Sequence, residues 1–136
     1  MTTALLVVDV QQSFLRRDYW REDDVPAFRA QLLDLVEGCR SRGVPVVHVF
    51  HAAPGGGGPF DPASGLVRAM DWLPPAPAAV FVKWVHSAMF AEGLSEWLVE
   101  RGVRRLIVCG IRSEQCCETT TRHASDLGYQ VDYVTQ

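Results

Sequence analysis

ALLVVDV, residues 4–10, is an almost continuous run of aliphatic and β-branched residues. A strand with one face in water alternates apolar and polar side chains. An unbroken run like this one reads as a strand buried on both faces, the habit of parallel sheets. Asp9 stands near its carboxyl end. Downstream, from Val25 to Arg42, Phe28, Leu32, Leu35, Val36 and Cys39 recur at three- and four-residue spacing, which predicts an amphipathic helix stopped near Gly43. VPVVHVFH, from Val44 to His51, is a second buried strand. Strand, helix and strand make a βαβ unit, for which a right-handed crossover is expected.

The same alternation continues. AVFVK (Ala79 to Lys83) predicts a third strand, Ala91 to Arg101 a helix with Leu94, Trp97 and Leu98 inward, and RRLIVCG (Arg104 to Gly110) a fourth strand. Ser113 to Leu127 predicts a helix and Tyr129 to Val134 a fifth strand. The expected fold is a three-layer α/β/α sandwich with a mainly parallel, Rossmann-like sheet, formed by residues 1–136 as a single domain. Between strands two and three, Ala52 to Pro77 is rich in Gly and Pro and reads as a surface excursion with a short helical turn around Leu66 to Trp72. Phe60 and Trp72 favour its packing over a pocket. Gly55 to Gly58 lack the lysine and following helix of a phosphate-binding loop.

Composition narrows the function classes. The 136 residues are 48% hydrophobic and 21% charged, with a net charge of −3, the balance of an ordinary soluble protein. No basic run interleaved with aromatics points to nucleic acid. No apolar stretch spans a bilayer, and no charged segment precedes an apolar one at the N-terminus, so a cytoplasmic protein without membrane contact is expected. The four cysteines, Cys39, Cys109, Cys116 and Cys117, do not form a disulfide framework and are expected as thiols.

In parallel α/β sheets, ligands bind beyond the carboxyl ends of the strands. Asp9, Lys83 and Cys116 all fall there. Singly, each has a plainer reading: a helix cap, a solvated strand end, a small core residue. Together they suit nucleophilic acyl chemistry. The carboxylate takes the thiol proton and returns it to the leaving amine, and the lysine holds the carboxylate and favours the thiolate. At a helix start the dipole is expected to lower the Cys116 pKa, and free backbone N–H groups to receive an oxyanion.

Three ordered stretches, VVDVQQSF (residues 7–14), VKWVHSAMF (82–90) and CGIRSEQCCETTTRHASDLGYQV (109–131), resemble the isochorismatase-like cysteine hydrolases, a family with nicotinamidases, N-carbamoylsarcosine amidohydrolases and biuret hydrolases. The resemblance implies Asp9 as base and acid, Lys83 as supporting cation and Cys116 as nucleophile. It places the oxyanion on the backbone N–H of Arg112 and Cys116, and a non-proline cis peptide between Ile111 and Arg112. The pattern G-x-x-x-x-x-C-x-x-x-T selects Cys116, with Thr120 four residues on, over Cys117. A vicinal redox pair is the alternative, though C-x-x-C spacing is missing.

Phe14, Trp20, His51, Trp84 and His86 are candidate substrate-binding residues, with core packing or surface exposure as the competing readings. Nicotinamidases of this family carry a metal-binding Asp-x-His after the second strand. His48-Val49-Phe50-His51 lacks that pattern, so no metal and no other cofactor is expected. Family members usually continue through a last strand and C-terminal helices. Their apparent absence predicts an open sheet edge and a homo-oligomer, dimer or tetramer. The expected activity is hydrolysis of a C–N bond in a small amide, carbamoyl or ureido compound. The alternatives are vinyl ether hydrolysis of the isochorismatase type and a silent scaffold or binding protein.

Overall fold

The computed structural model describes residues 2–16, 25–111 and 116–134. Its elements are β1 (Thr2–Val8), α1 (Val25–Ser41), β2 (Val46–His51), β3 (Ala79–Lys83), α2 (Leu94–Glu100), β4 (Val103–Gly110), α3 (Glu118–Asp126) and β5 (Gln130–Tyr133). The strands pair in parallel in the order β3-β2-β1-β4-β5. The alternating sequence pattern is thus realised as the expected sandwich.

The position of β1 at the centre explains its unbroken apolar run. Leu5 and Val7 pack with Phe28, Leu32 and Val36 of α1 on one face. Ala4, Leu6 and Val8 pack with Leu94 and Leu98 of α2 and Ala124 of α3 on the other. Fully burying each such leucine contributes about 1.5–3 kcal/mol, so β1 is the natural anchor of the sheet.

Several boundaries differ from the sequence expectation for identifiable reasons. β1 stops at Val8 because Asp9 has φ 62, a left-handed conformation that no strand continues through. α2 starts at Leu94 instead of Ala91, since Gly93 has φ 87 and a single 3₁₀ turn capped by Ser87 occupies Ala88–Phe90. No helical turn forms at 66–72; it lies earlier, at Pro62–Ser64, where Asp61 caps the Ala63 N–H and Pro62 suits the first turn. A further 3₁₀ turn at Gln12–Arg16 carried no sequence signal.

From β1 the chain moves outward through β2 and β3, then returns to β4 on the other side of β1. The carboxyl ends of β1 and β4 therefore flank the switch point at which open α/β sheets hold ligands. Gly110 closes this junction. A Cβ there would lie 2.0 Å from the Val8 carbonyl oxygen, and the Ile111 N–H donates to that same oxygen at 3.0 Å. Only glycine permits this approach.

Candidate active site

Three adjacent strand ends supply one half of the site. Asp9 is the first residue past β1, His51 the last of β2 and Lys83 the last of β3. The strained backbone of Asp9 turns its carboxyl inward, where it is fully buried. Lys83 extends from the sheet edge with a side chain that is 0% exposed, so the solvated-strand-end reading fails. Its Nζ lies 3.3 Å from Asp9 Oδ2, 3.1 Å from His51 Nδ1 and 3.1 Å from the Val85 carbonyl oxygen.

The other half comes from the far side of the switch point. Cys116 lies in a wide, π-type turn leading into α3, just ahead of the helix rather than within its first turn. Its Sγ is 3.5 Å from Lys83 Nζ and 3.7 Å from His86 Nδ1. Cys117 is turned away, with Sγ directed at the Ile111 carbonyl oxygen. Of the two neighbours, Cys116 shares the strand-end edge with Asp9 and Lys83.

Burial governs the protonation of this cluster. Desolvation raises the Asp9 pKa above the ordinary 3.8, and Lys83 opposes that rise. The Cys116 thiol is pushed up to about 12, by burial first and then by the Asp9 carboxyl, with Lys83 working against both. The lowering expected from a helix start does not occur. At neutral pH the proton therefore rests on sulfur, beside an acceptor held by a cation. Asp9 Oδ1 is buried and accepts no hydrogen bond of good geometry among the described residues.

The remaining candidates divide. His51 is half-buried against Lys83, and His86 is exposed beside Cys116, with the two rings near parallel and their centroids 6.5 Å apart. Phe14 is a core residue, edge-on to Phe60, which in turn meets His51. Trp84 is 53% exposed. Trp72 packs edge-on against Phe28 of α1. Trp20, the Arg112 N–H and the peptide between Ile111 and Arg112 lie outside the described residues. Among the described residues, no group of three or more His, Cys, Asp or Glu is placed to hold a metal ion.

Sequence reasoning missed the residues that brace the site. Gln11 pairs its side-chain amide with both backbone groups of His51. Ser87 Oγ meets His123 Nδ1 at 2.7 Å, and Thr120 Oγ1 accepts from the Ala88 N–H at 2.8 Å, tying the segment after Lys83 to α3. Polar residues beside apolar runs, as in VVDVQQSF, were the available signal for Gln11.

These features define a parallel α/β protein with a carboxylate, an ammonium and a thiol gathered at its strand ends. The chain belongs to the isochorismatase domain family, a family of hydrolases, which it matches over residues 3–135. It is 32% identical to the isochorismatase family protein YddQ of Bacillus subtilis (strain 168), over 95% of this chain and 73% of YddQ. It is 36% identical to streptothricin hydrolase of Streptomyces noursei, over 94% of this chain but 46% of that longer protein. Among solved structures, an isochorismatase from Pseudomonas putida KT2440 superposes with a TM-score of 0.81 at 30% identity, covering 97% of this chain and 68% of that one. No described helix is long and apolar enough to cross a membrane.

Proposed function

We propose that the protein hydrolyses a C–N bond in a small amide, carbamoyl or ureido compound through a thioester on Cys116. The observation that carries this reading is the buried Lys83 ammonium, within 3.5 Å of both the Asp9 carboxylate and the Cys116 sulfur. A thiol held near 12 is not ionised at rest, so its proton passes to Asp9 as sulfur attacks the carbonyl carbon. Burial has raised Asp9 as well, which makes it a stronger proton acceptor than an ordinary carboxylate. Asp9 then protonates the departing nitrogen, the amine leaves, and the thioester remains. Water attacks it with Asp9 again as base, releasing the acid and restoring the thiol. Lys83 stabilises the negative charge that alternates between carboxylate and sulfur. The Cys116 backbone N–H receives the oxyanion.

Resemblance to a structure named as an isochorismatase favours a second reading, vinyl ether hydrolysis, in which the carboxylate acts without the thiol. Cys116→Ala separates the two. On the amide reading, ammonia release from a panel of small amides falls by about 10³-fold or more, since a lost nucleophile has no substitute. Labelling by iodoacetamide is lost too, while Cys117→Ala retains most activity. Loss in Cys117→Ala with retention in Cys116→Ala overturns the assignment. Because Asp9 acts ionised, kcat/KM is expected to fall as the pH drops through its raised pKa, above the ordinary carboxylate range.

A further inference from the structure

A thiol has one proton, and for Cys116 the Asp9 carboxyl beside it is the acceptor through which that proton leaves. Once it has gone, the sulfur carries a negative charge in a site where Asp9 and Lys83 are fully buried and Cys116 is nearly so. Charge removed from water in this way depends on the donors aimed at it. Two described side chains reach the sulfur, Lys83 Nζ at 3.5 Å and His86 Nδ1 at 3.7 Å, both ordinary lengths for a contact to sulfur. The Lys83 ammonium has three protons to divide among this sulfur, Asp9 Oδ2, the Val85 carbonyl oxygen and His51. His86 Nδ1, by contrast, has the sulfur as its one hydrogen-bond partner among the described residues.

The backbone that carries His86 is fixed on both sides. Ahead of it, the Val85 carbonyl oxygen accepts from Lys83 at 3.1 Å. Behind it, Ser87 Oγ meets His123 Nδ1 at 2.7 Å and accepts from the Met89 N–H at 3.2 Å, and the Ala88 N–H donates to Thr120 Oγ1 at 2.8 Å. Ser87, Ala88 and Thr120 are all buried. Thr120 and His123 belong to α3, and Cys116 lies in the turn that leads into the same helix, so the imidazole and the sulfur are held against one element. His86 is nonetheless exposed, unlike Asp9 and Lys83. Its ring can therefore exchange protons with solvent and present Nδ1–H, as one neutral tautomer or as the imidazolium.

We propose that His86 is a further catalytic residue, which donates its Nδ1–H to the Cys116 sulfur as the thiolate forms and again as it departs from the thioester. This rests on the hydrolytic reading of the site. In the first step the thiol proton passes to Asp9 and the sulfur–carbon bond forms, while His86 keeps its own proton and its hydrogen bond strengthens with the charge on sulfur. In the last step water adds to the thioester carbon as Asp9 takes its proton. The carbon–sulfur bond then breaks, its electron pair returns to sulfur, and the same donor holds that charge until Asp9 returns the proton. Lys83 and His86 thus share the sulfur charge, the first from the end of β3 and the second from the segment that follows it.

Alkylation of Cys116 reads this without turnover, because iodoacetamide reacts with the thiolate. In a Cys117→Ala background, which removes the neighbouring thiol, His86→Ala should slow alkylation at pH 7 by about tenfold, although the truncation opens the approach to the sulfur. His86→Asn, whose amide N–H falls near the place of Nδ1, should keep most of the rate. In ammonia release from the amide that the wild type hydrolyses fastest, His86→Ala should lower kcat by about tenfold or more and leave KM nearly unchanged, since the donor serves sulfur and not substrate. Alkylation as fast in His86→Ala as with His86 present overturns the proposal, as does an equal loss in His86→Ala and His86→Asn. So does a raised KM with kcat kept, which would make His86 a substrate contact only. Lack of ammonia release from the wild type would refute the hydrolytic reading, while alkylation still decides whether His86 serves the thiolate, so the two fail separately.

Discussion

Asp9, His51 and Lys83 stand on three neighbouring strand ends, whereas Cys116 reaches them from across the switch point. On the first side every polar contact is short: Lys83 Nζ sits 3.1–3.3 Å from three acceptors, and Gln11 grips the His51 backbone at 2.8 and 2.9 Å. On the second side Cys116 Sγ makes longer contacts, at 3.5 and 3.7 Å. Those lengths are ordinary for the larger sulfur atom, so the contrast is one of origin: the charges are preset by a hydrogen-bonded frame on the strand ends, and the nucleophile is delivered to it by the turn leading into α3. Preset charge needs no reorganisation when negative charge develops, which is the useful division of labour for acyl transfer.

The contrast is broken most severely at Lys83. Lys83→Met leaves the Asp9 carboxylate buried with its cation removed, and losing one partner of a buried pair costs about 3–5 kcal/mol. Urea denaturation should show a loss of that size, together with loss of turnover. Adding Asp9→Asn, which removes the charge and tolerates the left-handed backbone, should recover much of the stability and none of the activity. Wild-type stability in Lys83→Met would mean that the ammonium is not what holds the frame.

A smaller effect separates two histidines of β2. His51 belongs to the frame, but His48 is a core residue, 3% exposed, whose pKa burial lowers from 6.5 to about 4, with the Arg40 charge adding to the effect. The folded protein therefore binds neutral His48. The stability this confers is complete above pH 6.5 and is lost as the pH falls through about 4, a difference of about 3 kcal/mol. Asp9, raised, runs in the opposite direction: folding is favoured below 3.8 and loses that support as the pH rises through its raised pKa. Denaturation curves of wild type and His48→Gln between pH 7 and 4 isolate the histidine. Equal slopes with pH in the two proteins would exclude it as the source.

The fold was legible because a sheet buried on both faces writes itself as apolar runs such as ALLVVDV. Asp9, Lys83 and Cys116 were legible because strand ends share an edge. Lateral order was not, and so neither was the reach of Lys83 past β2 to Asp9 or its contact with His51. The sign of the Cys116 shift was misjudged for a reason of magnitude. A helix dipole is worth roughly 0.3–1 kcal/mol at such a position. A rise from 9 to about 12 corresponds to about 4 kcal/mol, and burial beside a carboxylate supplies it.

Gln11 offers the finest test of the frame, because it touches neither sulfur nor carboxylate. Gln11→Leu keeps the volume approximately and strips the amide from the His51 N–H and carbonyl, leaving backbone groups at the end of β2 without their partner. An unsatisfied group of this kind costs about 1–3 kcal/mol, so a modest fall in the denaturation midpoint is expected. If the amide also positions the His51 ring against Lys83, ammonia release should fall along with stability, because the cation loses a fixed partner. Wild-type ammonia release in Gln11→Leu would instead mean that the His51 ring is held against Lys83 by its other contacts alone.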